Sequence, residues 1–413
     1  MKVVVIGGGA AGMMAAITSA RQNNEVIILE KTSSLGNKIK ITGKGRCNIT
    51  FDGDQDTFKE NVVNNYRFLY SAFSKFDNND VIKFFNDLGV KTKVERGGRI
   101  FPVSDDASEV VRALKSELKR LNVKVLYNSK VEKIIVDEKQ NIQAVRLDNK
   151  KKINCDKCII ATGGASYNTT GSTGDGYKLL RDLGHNIIGI KPGLIPIKSD
   201  SPICKGAQGL SLKNVTFSIY DKEKLLCKDF GEMLFAHFGV TGPIVLGLSS
   251  KINRISNIDE KIKNKDIYGV IDLKPALTEE MLDKRIQRDF EKYSNKEFKN
   301  SLNDLLPQKL IPQVIKLSKI DENKKVHQIT KEERNRIIKS IKEIKINING
   351  FLPVDMAIIT CGGIDVKNVN PKTMESKLVS GLYICGEVLD IDALTGGFNL
   401  QIAFSTGYVA GLN

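Results

Sequence analysis

The chain has 413 residues, 41% of them hydrophobic, so it can bury a large core and is expected to form two or three domains. Seven scattered cysteines favour reduced thiols and a cytoplasmic protein, and no stretch approaches the roughly 20 apolar residues of a membrane span. The net charge is +15, with 23 Lys and Arg against 16 Asp and Glu in residues 251–350, but 3 against 6 in residues 351–413. This excess fits either a surface for a polyanion such as RNA or a basic surface that is merely solvated.

The first 30 residues predict a strand, a helix and a second strand of a nucleotide-binding unit. The first strand leads into the turn at residues 7–12, which has the form G-x-G-x-x-G. In this pattern Gly7 makes the tight turn, Gly9 lets a pyrophosphate approach, and Gly12 lets the helix pack closely on the strand. Glu30 ends the second strand 18 residues after Gly12. It is placed to accept hydrogen bonds from ribose hydroxyls, and its charge would repel a 2′-phosphate.

The next part of the chain mixes helical and strand patterns. Helices are predicted at 80–88 and 107–121, separated by a glycine-rich turn at 97–102. Apolar runs predict strands at 122–126, 131–136, 142–147 and 158–161. The second and third of these are expected to form a hairpin. Glycines 171, 174 and 176 are expected to open a helix that runs to Leu183.

The pattern changes after Gly189. Short alternating runs, such as 215–220 and 267–273, indicate a small β domain, whereas residues 278–345 show helical periodicity with heavy charge. A strand followed by glycines is then predicted at 358–363 and again at 382–387, before a final helix.

These elements predict an α/β protein with a Rossmann-like nucleotide-binding domain formed by residues 1–190 and 351–413. The predicted insertion comprises a β-rich substrate domain at 191–275 and a small helical domain at 276–350.

The C-terminal segment favours FAD as the dinucleotide. A strand at 381–385 leads to Gly386 and Glu387, and the sequence Thr395-Gly-Gly-Phe-Asn-Leu-Gln401 opens a helix. Flavoproteins with two dinucleotide-binding domains often end this way. Their acid contacts the ribityl chain or pyrophosphate, and the helix N-terminus stabilises negative charge on the flavin pyrimidine. The alternative is that these glycines serve packing alone.

A further block, Lys38-Ile-Lys-Ile-Thr-Gly-Lys-Gly-Arg-Cys-Asn48, follows the ribose-binding strand. With this block, the chain resembles the aminoacetone-oxidase/BaiN/RdsA-type flavoproteins nearly from end to end. The resemblance rests on six segments: 7–12, 38–48, 161–164, 238–243, 360–363 and 386–401. It implies one non-covalent FAD and an FAD domain with an inserted β domain and a small helical domain.

The resemblance leaves the substrate open. Family members are linked to oxidation of aminoacetone, to bile-acid transformation, and to reduction of a uridine in 23S ribosomal RNA to dihydrouridine. Our preferred hypothesis is NAD(P)H-driven reduction of such a uridine. The alternatives are a small amine, carbonyl or bile-acid-like substrate, or an FAD-containing RNA- or ribosome-binding protein without turnover.

The residues expected to bind FAD lie in the segments just described: Gly7, Gly9, Ala11, Gly12, Glu30, Lys31, Lys38, Thr42, Gly43, Gly45, Arg46, Asn48, Val131, Ala161, Thr162, Gly163, Gly386, Glu387, Gly397, Phe398, Asn399, Leu400 and Gln401. No second G-x-G-x-x-G follows a strand, so either NAD(P)H docks transiently over the flavin or the substrate itself reduces it. Cys155 and Cys158 form a single C-x-x-C, which does not predict a metal site.

Two residues are candidates for catalysis. Cys47 is either a proton donor beside the flavin or a small packing residue. His237 is either an active-site residue or a structural one; it lies in a glycine-rich loop of the insertion, which we expect to face the flavin. Arg99, in a Gly-Gly-Arg turn, is either substrate-facing or an anchor of its loop. The oligomeric state is left open.

Overall fold

The computed structural model describes residues 1–413. The chain divides into unit 1, which comprises Met1–Gly193 and Val354–Asn413, and unit 2, which comprises Leu194–Pro353. Each unit has its own hydrophobic core. The parts of the insertion expected to form a β domain and a helical domain contribute to one core, that of unit 2. The three-domain division stays a prediction.

The strands are β1 Lys2–Ile6, β2 Glu25–Leu29, β3 Thr50–Phe51, β4 Thr92–Glu95, β5 Arg99–Pro102, β6 Lys124–Leu126, β7 Val131–Val136, β8 Ile142–Leu147, β9 Lys152–Asn154, β10 Lys157–Ile160, β11 Ile187–Gly193, β12 Ile197–Lys198, β13 Ser211–Asp221, β14 Lys224–Ala236, β15 Gly239–Thr241, β16 Ile267–Asp272, β17 Ile344–Asn347, β18 Gly350–Phe351, β19 Ile359–Ile364 and β20 Leu382–Ile384.

The α-helices are α1 Ala10–Arg21, α2 Asn37–Ile41, α3 Gln55–Asn61, α4 Tyr66–Lys75, α5 Asn78–Asp87, α6 Ala107–Arg120, α7 Asp175–Arg181, α8 Pro202–Gly206, α9 Pro243–Asn253, α10 Ile258–Lys263, α11 Glu279–Lys292, α12 Ile311–Ser318, α13 Lys331–Lys342 and α14 Phe398–Leu412. None of these helices combines the length and the apolar character needed to span a membrane.

Unit 1 is built on a parallel five-stranded sheet in the order β20-β10-β1-β2-β6. Its strands are nearly continuous apolar runs, which is typical of a parallel sheet covered on both faces. The predicted α/β class with a Rossmann-like domain is therefore confirmed.

Helices α1 and α14 lie against each other through small residues. A Cβ added at Gly407 would lie 2.4 Å from the Ala11 carbonyl oxygen, and one at Gly411 would lie 2.4 Å from that of Ala15. Only glycine permits this approach. Residues 351–413 therefore pack against residues 1–50, in agreement with the prediction that both belong to the nucleotide-binding domain.

Three smaller sheets complete unit 1, in the orders β3-β5-β4, β7-β8-β9 and β11-β19. The predicted hairpin of β7 and β8 is confirmed at its predicted bounds. The strand predicted at 358–363 is confirmed as β19, but its glycines are part of the strand, since β19 continues through Gly362 and Gly363 and pairs antiparallel with β11. The glycines are needed since a Cβ at Gly362 would lie 2.2 Å from the Gly189 carbonyl oxygen.

Unit 2 contains a seven-stranded sheet in the order β17-β16-β13-β14-β15-β12-β18. Alternate residues of β13, namely Val215, Phe217 and Ile219, are buried, as the alternating pattern predicts. The helix α9 was not predicted within this β-rich segment. Its Gly242-Pro243 start is a helix N-terminal signal, but its apolar sequence has weak amphipathic periodicity.

Candidate cofactor site

The opening turn connects β1 to α1 and depends on its glycines. Gly7 has a φ of +103°, and a Cβ there would lie 2.5 Å from the Ala161 carbonyl oxygen. A Cβ at Gly12 would lie 1.9 Å from the Gly7 oxygen, whereas no atom lies within 4 Å of one at Gly9. The space at Gly9 borders the N-terminus of α1, where free N–H groups and the helix dipole attract a phosphate group.

Glu30 follows β2 and is 8% exposed. Its Oε2 accepts a hydrogen bond from the Gly8 N–H at 2.8 Å, and its Oε1 accepts one from the Thr32 N–H at 2.8 Å. These two backbone donors fix the carboxylate at the carboxyl end of the sheet, where dinucleotides bind in Rossmann-like folds.

A cavity adjoins Glu30 at this end of the sheet. Five of the predicted cofactor residues line it: Gly7, Glu30, Lys31, Val131 and Thr162. The other lining residues are Ile6, Leu29, Ser129, Lys130, Gly171, Asp175 and Leu179, none of which was predicted. Three of them could have been found from their place in the sequence. Ser129 and Lys130 directly precede the predicted residue Val131, and Gly171 belongs to the glycine cluster before α7.

Charged groups cross one side of this cavity. Lys31 Nζ lies 2.5 Å from Asp175 Oδ2, and Lys130 Nζ lies 3.4 Å from Asp175 Oδ1. Burial opposes ionisation of Asp175 most strongly, but the hydrogen bonds and charges of Lys31, Thr173 and Lys130 together outweigh it and lower the pKa of the carboxyl group. The cavity thus carries cations beside the Glu30 carboxylate.

A second cluster joins the start and the end of the chain. Lys38 Nζ donates to Glu387 Oε2 at 2.8 Å and to Ser166 Oγ at 2.7 Å. The Thr360 N–H donates to Glu387 Oε1 at 2.9 Å. Three further predicted residues lie near this ion pair, namely Ala11, Gly163 and Gly386. A Cβ at Gly163 would lie 3.9 Å from Glu387 Oε2, and one at Gly386 would lie 2.7 Å from Ala11 Cβ. Ser166 and Thr360 were not predicted as site residues.

The block at 38–48 forms a tight 3-10 turn at Thr42–Gly45. The backbone of Gly43, Lys44 and Gly45 is left-handed, with φ of +58°, +60° and +85°. Glycine adopts this left-handed conformation without strain, and it occupies two of the three positions. Asn48 follows the turn, and its buried Oδ1 has no hydrogen-bond partner.

Cys47 is fully buried, with a φ of +62°. Burial raises the pKa of its thiol to about 12, and a hydrogen bond with Thr42 opposes this only in part. The thiol is therefore protonated at neutral pH but is not accessible to solvent.

Arg46 was predicted to bind the cofactor, but its guanidinium contacts acidic residues. It lies 2.7 Å from Asp105 Oδ1, also contacts Glu95, and its Cζ lies 4.2 Å from the centre of the Phe101 ring. Its place in the cofactor site stays a prediction.

The start of α14 offers backbone groups rather than side chains. Gly397 has a φ of +101°, and a Cβ there would lie 2.2 Å from the Thr50 carbonyl oxygen. The Asn399 amide donates to the Ala393 carbonyl oxygen at 2.8 Å, and the Gln401 amide donates to that of Phe76 at 3.2 Å. Phe398 is buried against Phe51, and Leu400 is half-buried. A ligand would therefore meet the N–H groups and the dipole of this helix.

His237 lies in unit 2, in the two-residue turn between β14 and β15. The side chain is exposed, and its ring packs edge-on against Phe238 with the centroids 4.9 Å apart. Its predicted catalytic role stays a prediction.

The family model described as HI0933-like protein Rossmann domain matches residues 1–413. The chain belongs to this family. The 3-dehydro-bile acid delta(4,6)-reductase of Clostridium scindens is 31% identical over 393 residues, 93% of this chain and 91% of the relative. The ribosomal RNA dihydrouridine synthases of Haemophilus influenzae and Escherichia coli are 29% and 28% identical, over 94% and 92% of this chain and 91% and 90% of theirs.

Among solved structures, the 3-ketosteroid delta1-dehydrogenase of Sterolibacterium denitrificans matches with a TM-score of 0.54 and 11% identity. The match covers 99% of this chain and 98% of that chain, and it shows a common fold. The family resemblance stated from the sequence is confirmed, and this HI0933-like chain is an FAD-dependent oxidoreductase.

The structure fits FAD at three places. Open space adjoins Gly9 at the N-terminus of α1, and Glu30 is fixed beside the cavity. Two buried polar atoms, Asn48 Oδ1 and Thr162 Oγ1, have no partner in the protein, and Thr162 lines the cavity. Because a buried polar atom without a partner costs about 1–3 kcal/mol, a bound cofactor that pairs with either atom gains that amount.

Proposed function

We propose that this oxidoreductase is a cytoplasmic enzyme that uses NAD(P)H to reduce a uridine in 23S ribosomal RNA to dihydrouridine. Two relatives named ribosomal RNA dihydrouridine synthases match it over more than nine-tenths of its length. The observation that favours RNA over a small molecule is the net charge of +15, because a polyanionic substrate is attracted to a basic surface.

The reactions named for these relatives share one chemistry. A 3-dehydro steroid with double bonds at positions 4 and 6 and the uracil ring both contain a carbon–carbon double bond conjugated with a carbonyl group. Reduction of such a bond adds a hydride at the carbon remote from the carbonyl and a proton at the adjacent carbon. When bound, FAD supplies hydride transfer from its reduced ring.

In this proposal the residues of unit 1 bind and orient the cofactor. Glu30 accepts hydrogen bonds from ribose hydroxyls, and the N–H groups at the start of α1 bind the pyrophosphate. Lys38 and Glu387 would contact the cofactor, and their ion pair would offer it one charge of each sign. The N–H groups at the start of α14 stabilise negative charge on the flavin ring.

The proton has two candidate sources. The Cys47 thiol retains its proton at neutral pH, but complete burial favours its packing role over direct contact with a substrate. His237 is exposed, and an imidazole is the side chain most often used for general acid catalysis.

A small-molecule reductase is the second candidate. The bile-acid reductase is 31% identical to this chain, against 29% and 28% for the two RNA-named relatives. The same donor and the same fold would serve a steroid-like enone.

The decisive experiment maps dihydrouridine in 23S ribosomal RNA from strains with and without the gene. It then incubates RNA from the deletion strain with the purified holoprotein and NADPH. We expect one uridine to lose its modification in the deletion strain and to regain it in vitro. Unchanged dihydrouridine on deletion, with no reduction in vitro, would remove RNA as the substrate, and turnover of a 3-keto-Δ4 bile acid would then support the second candidate.

The same assay separates the two proton donors. If Cys47 only packs, Cys47→Ala retains FAD and product formation, whereas a Cys47 donor role predicts NADPH oxidation without product. His237→Gln is the parallel variant, and loss of product in only one of the two assigns the proton.

A further inference from the structure

A small basic surface adjoins the turn at Thr42–Gly45. The β4–β5 hairpin has a three-residue loop, Arg96 to Gly98, and Arg99 begins the second strand opposite Glu95. The hairpin contacts the turn through Phe101, since a Cβ at Gly43 would lie 3.1 Å from the Phe101 ring.

The acidic residues of this region are already paired. Asp105 lies 2.7 Å from Arg46 and 2.6 Å from Lys93, and Glu95 contacts the same two cations. The hydrogen bonds from Lys93 and Arg46 lower the pKa of Asp105, so its charge persists at neutral pH. The two acids and two cations therefore cancel in charge.

Three further cations remain without an acidic partner at ion-pair distance: Lys44, Arg96 and Arg99. All three are exposed. Arg99 Nε donates to the Arg96 carbonyl oxygen at 3.0 Å, and its Cζ lies 5.8 Å from the centre of the Phe101 ring. Lys44 directly follows Gly43, which contacts the same Phe101 ring, so the three cations belong to the hairpin and the turn that packs on it.

We propose that Lys44, Arg96 and Arg99, the phosphate cluster, bind backbone phosphates of the RNA substrate. This inference rests on the proposed function. Three unpaired cations on one surface neutralise phosphates without base specificity. Gly97 and Gly98, with φ of +81° and +65°, add no side chain to the loop, so none from these two positions blocks the approach of a phosphate to the arginines. The block at 38–48 then positions the RNA beside the predicted flavin site.

The position of Asp52 offers a test in the opposite direction. Its N–H donates to the Gly98 carbonyl oxygen at 2.6 Å, and its side chain is exposed. A carboxylate beside the loop repels phosphate, so Asp52→Asn should strengthen RNA binding while the phosphate cluster stays intact.

The experiment measures binding of the full-length holoprotein to a labelled mixed-sequence single-stranded RNA over a range of salt concentrations. The triple variant Lys44→Ala, Arg96→Ala, Arg99→Ala should lose about tenfold or more in affinity, and its salt slope should fall by about 0.7 per lost phosphate contact. The matched control removes three exposed lysines of the β7–β9 sheet region, as Lys133→Ala, Lys139→Ala, Lys152→Ala, and should change the slope little.

FAD absorbance and NADPH oxidation without RNA check that each variant is folded, and we expect them to be unchanged. Equal affinity and equal salt slope in wild type and triple variant would overturn the phosphate cluster. A raised KM for NADPH with unchanged RNA binding would also overturn it and assign the cations to the nucleotide donor. If the wild-type protein neither binds nor reduces RNA, the proposed function itself fails. This result differs from failure of the phosphate cluster alone, in which wild type and triple variant bind RNA equally well. Weaker RNA binding by Asp52→Asn would likewise count against the cluster.

Discussion

At the scale of single residues, the position of Glu30 is set by the backbone around it. The Gly8 and Thr32 N–H groups both donate to its carboxylate, so the side chain keeps its orientation at the cavity without a ligand. A preorganised acceptor loses little entropy when it binds ribose hydroxyls.

We predict that Glu30→Ala weakens FAD binding by about 1.5–3 kcal/mol, because charge-assisted hydrogen bonds to the ribose are lost. Titration of the apoprotein with FAD, followed by quenching of flavin fluorescence, measures this change. Glu25→Ala is the matched control, since Glu25 is exposed at the start of the same strand. Equal dissociation constants for the two variants would contradict the role of Glu30.

Cys47 predicts a pH dependence of stability. Its thiol has a pKa of about 12 in the folded protein and about 9.0 in the unfolded chain. The unfolded chain therefore ionises first, and the stability contribution is fully present below pH 9 and is lost as pH rises towards 12. The free energy of unfolding should fall by about 1.4 kcal/mol per pH unit more steeply in wild type than in Cys47→Ala. Urea unfolding of both proteins between pH 8 and pH 11 tests this, and parallel curves would contradict it.

At the scale of elements, the sequence predicts best where local pattern and tertiary role agree. The β1–α1–β2 unit and the β7–β8 hairpin follow directly from apolar periodicity and turn residues. The continuation of β19 through Gly362 and Gly363 could not be predicted. Glycine is needed there because β11, which is distant in sequence, approaches closely.

The site divides in the same way. Glu30 was predictable from its spacing and Glu387 from its place at the end of the C-terminal strand. The block at 38–48 supplied Lys38, which the structure brings together with Glu387. The pairing of Arg46 with Glu95 and Asp105 was not predictable, because it depends on a hairpin whose strands lack an alternating pattern.

The start of α14 supports a prediction about packing. Gly397→Ala combines a left-handed backbone with a 2.2 Å approach to the Thr50 carbonyl oxygen and should cost roughly 3 kcal/mol or more. Gly184→Ala is the matched control, because Gly184 has a φ of +86° but no atom within 4 Å, so only backbone strain of about 1 kcal/mol applies. Thermal unfolding and FAD content should both separate the two variants, and equal Tm values would contradict the steric argument.

At the scale of the whole molecule, each of the two units has its own hydrophobic core and its own share of the net charge. Unit 2 contains 29 Lys and Arg against 21 Asp and Glu, so it contributes +8 of the net charge of +15. The predicted FAD residues all lie in unit 1, whereas His237 lies in unit 2. The predicted cofactor residues and the predicted substrate domain thus belong to different units.

This division predicts that unit 1 folds and binds FAD without unit 2. Gly193 pairs with Ile359 across β11 and β19, and Val354 precedes Ile359 by five residues, so a linker of about six residues can join Gly193 to Val354. The joined protein keeps the five-stranded sheet, α1, α14 and their core. We expect a yellow protein with one FAD per chain that unfolds cooperatively on heating but forms no dihydrouridine, because the predicted substrate domain and His237 are absent. Absorption spectra and thermal unfolding, with the full-length protein alongside, test this. A joined protein that is folded but cannot be reconstituted with FAD would show that cofactor binding needs residues of unit 2.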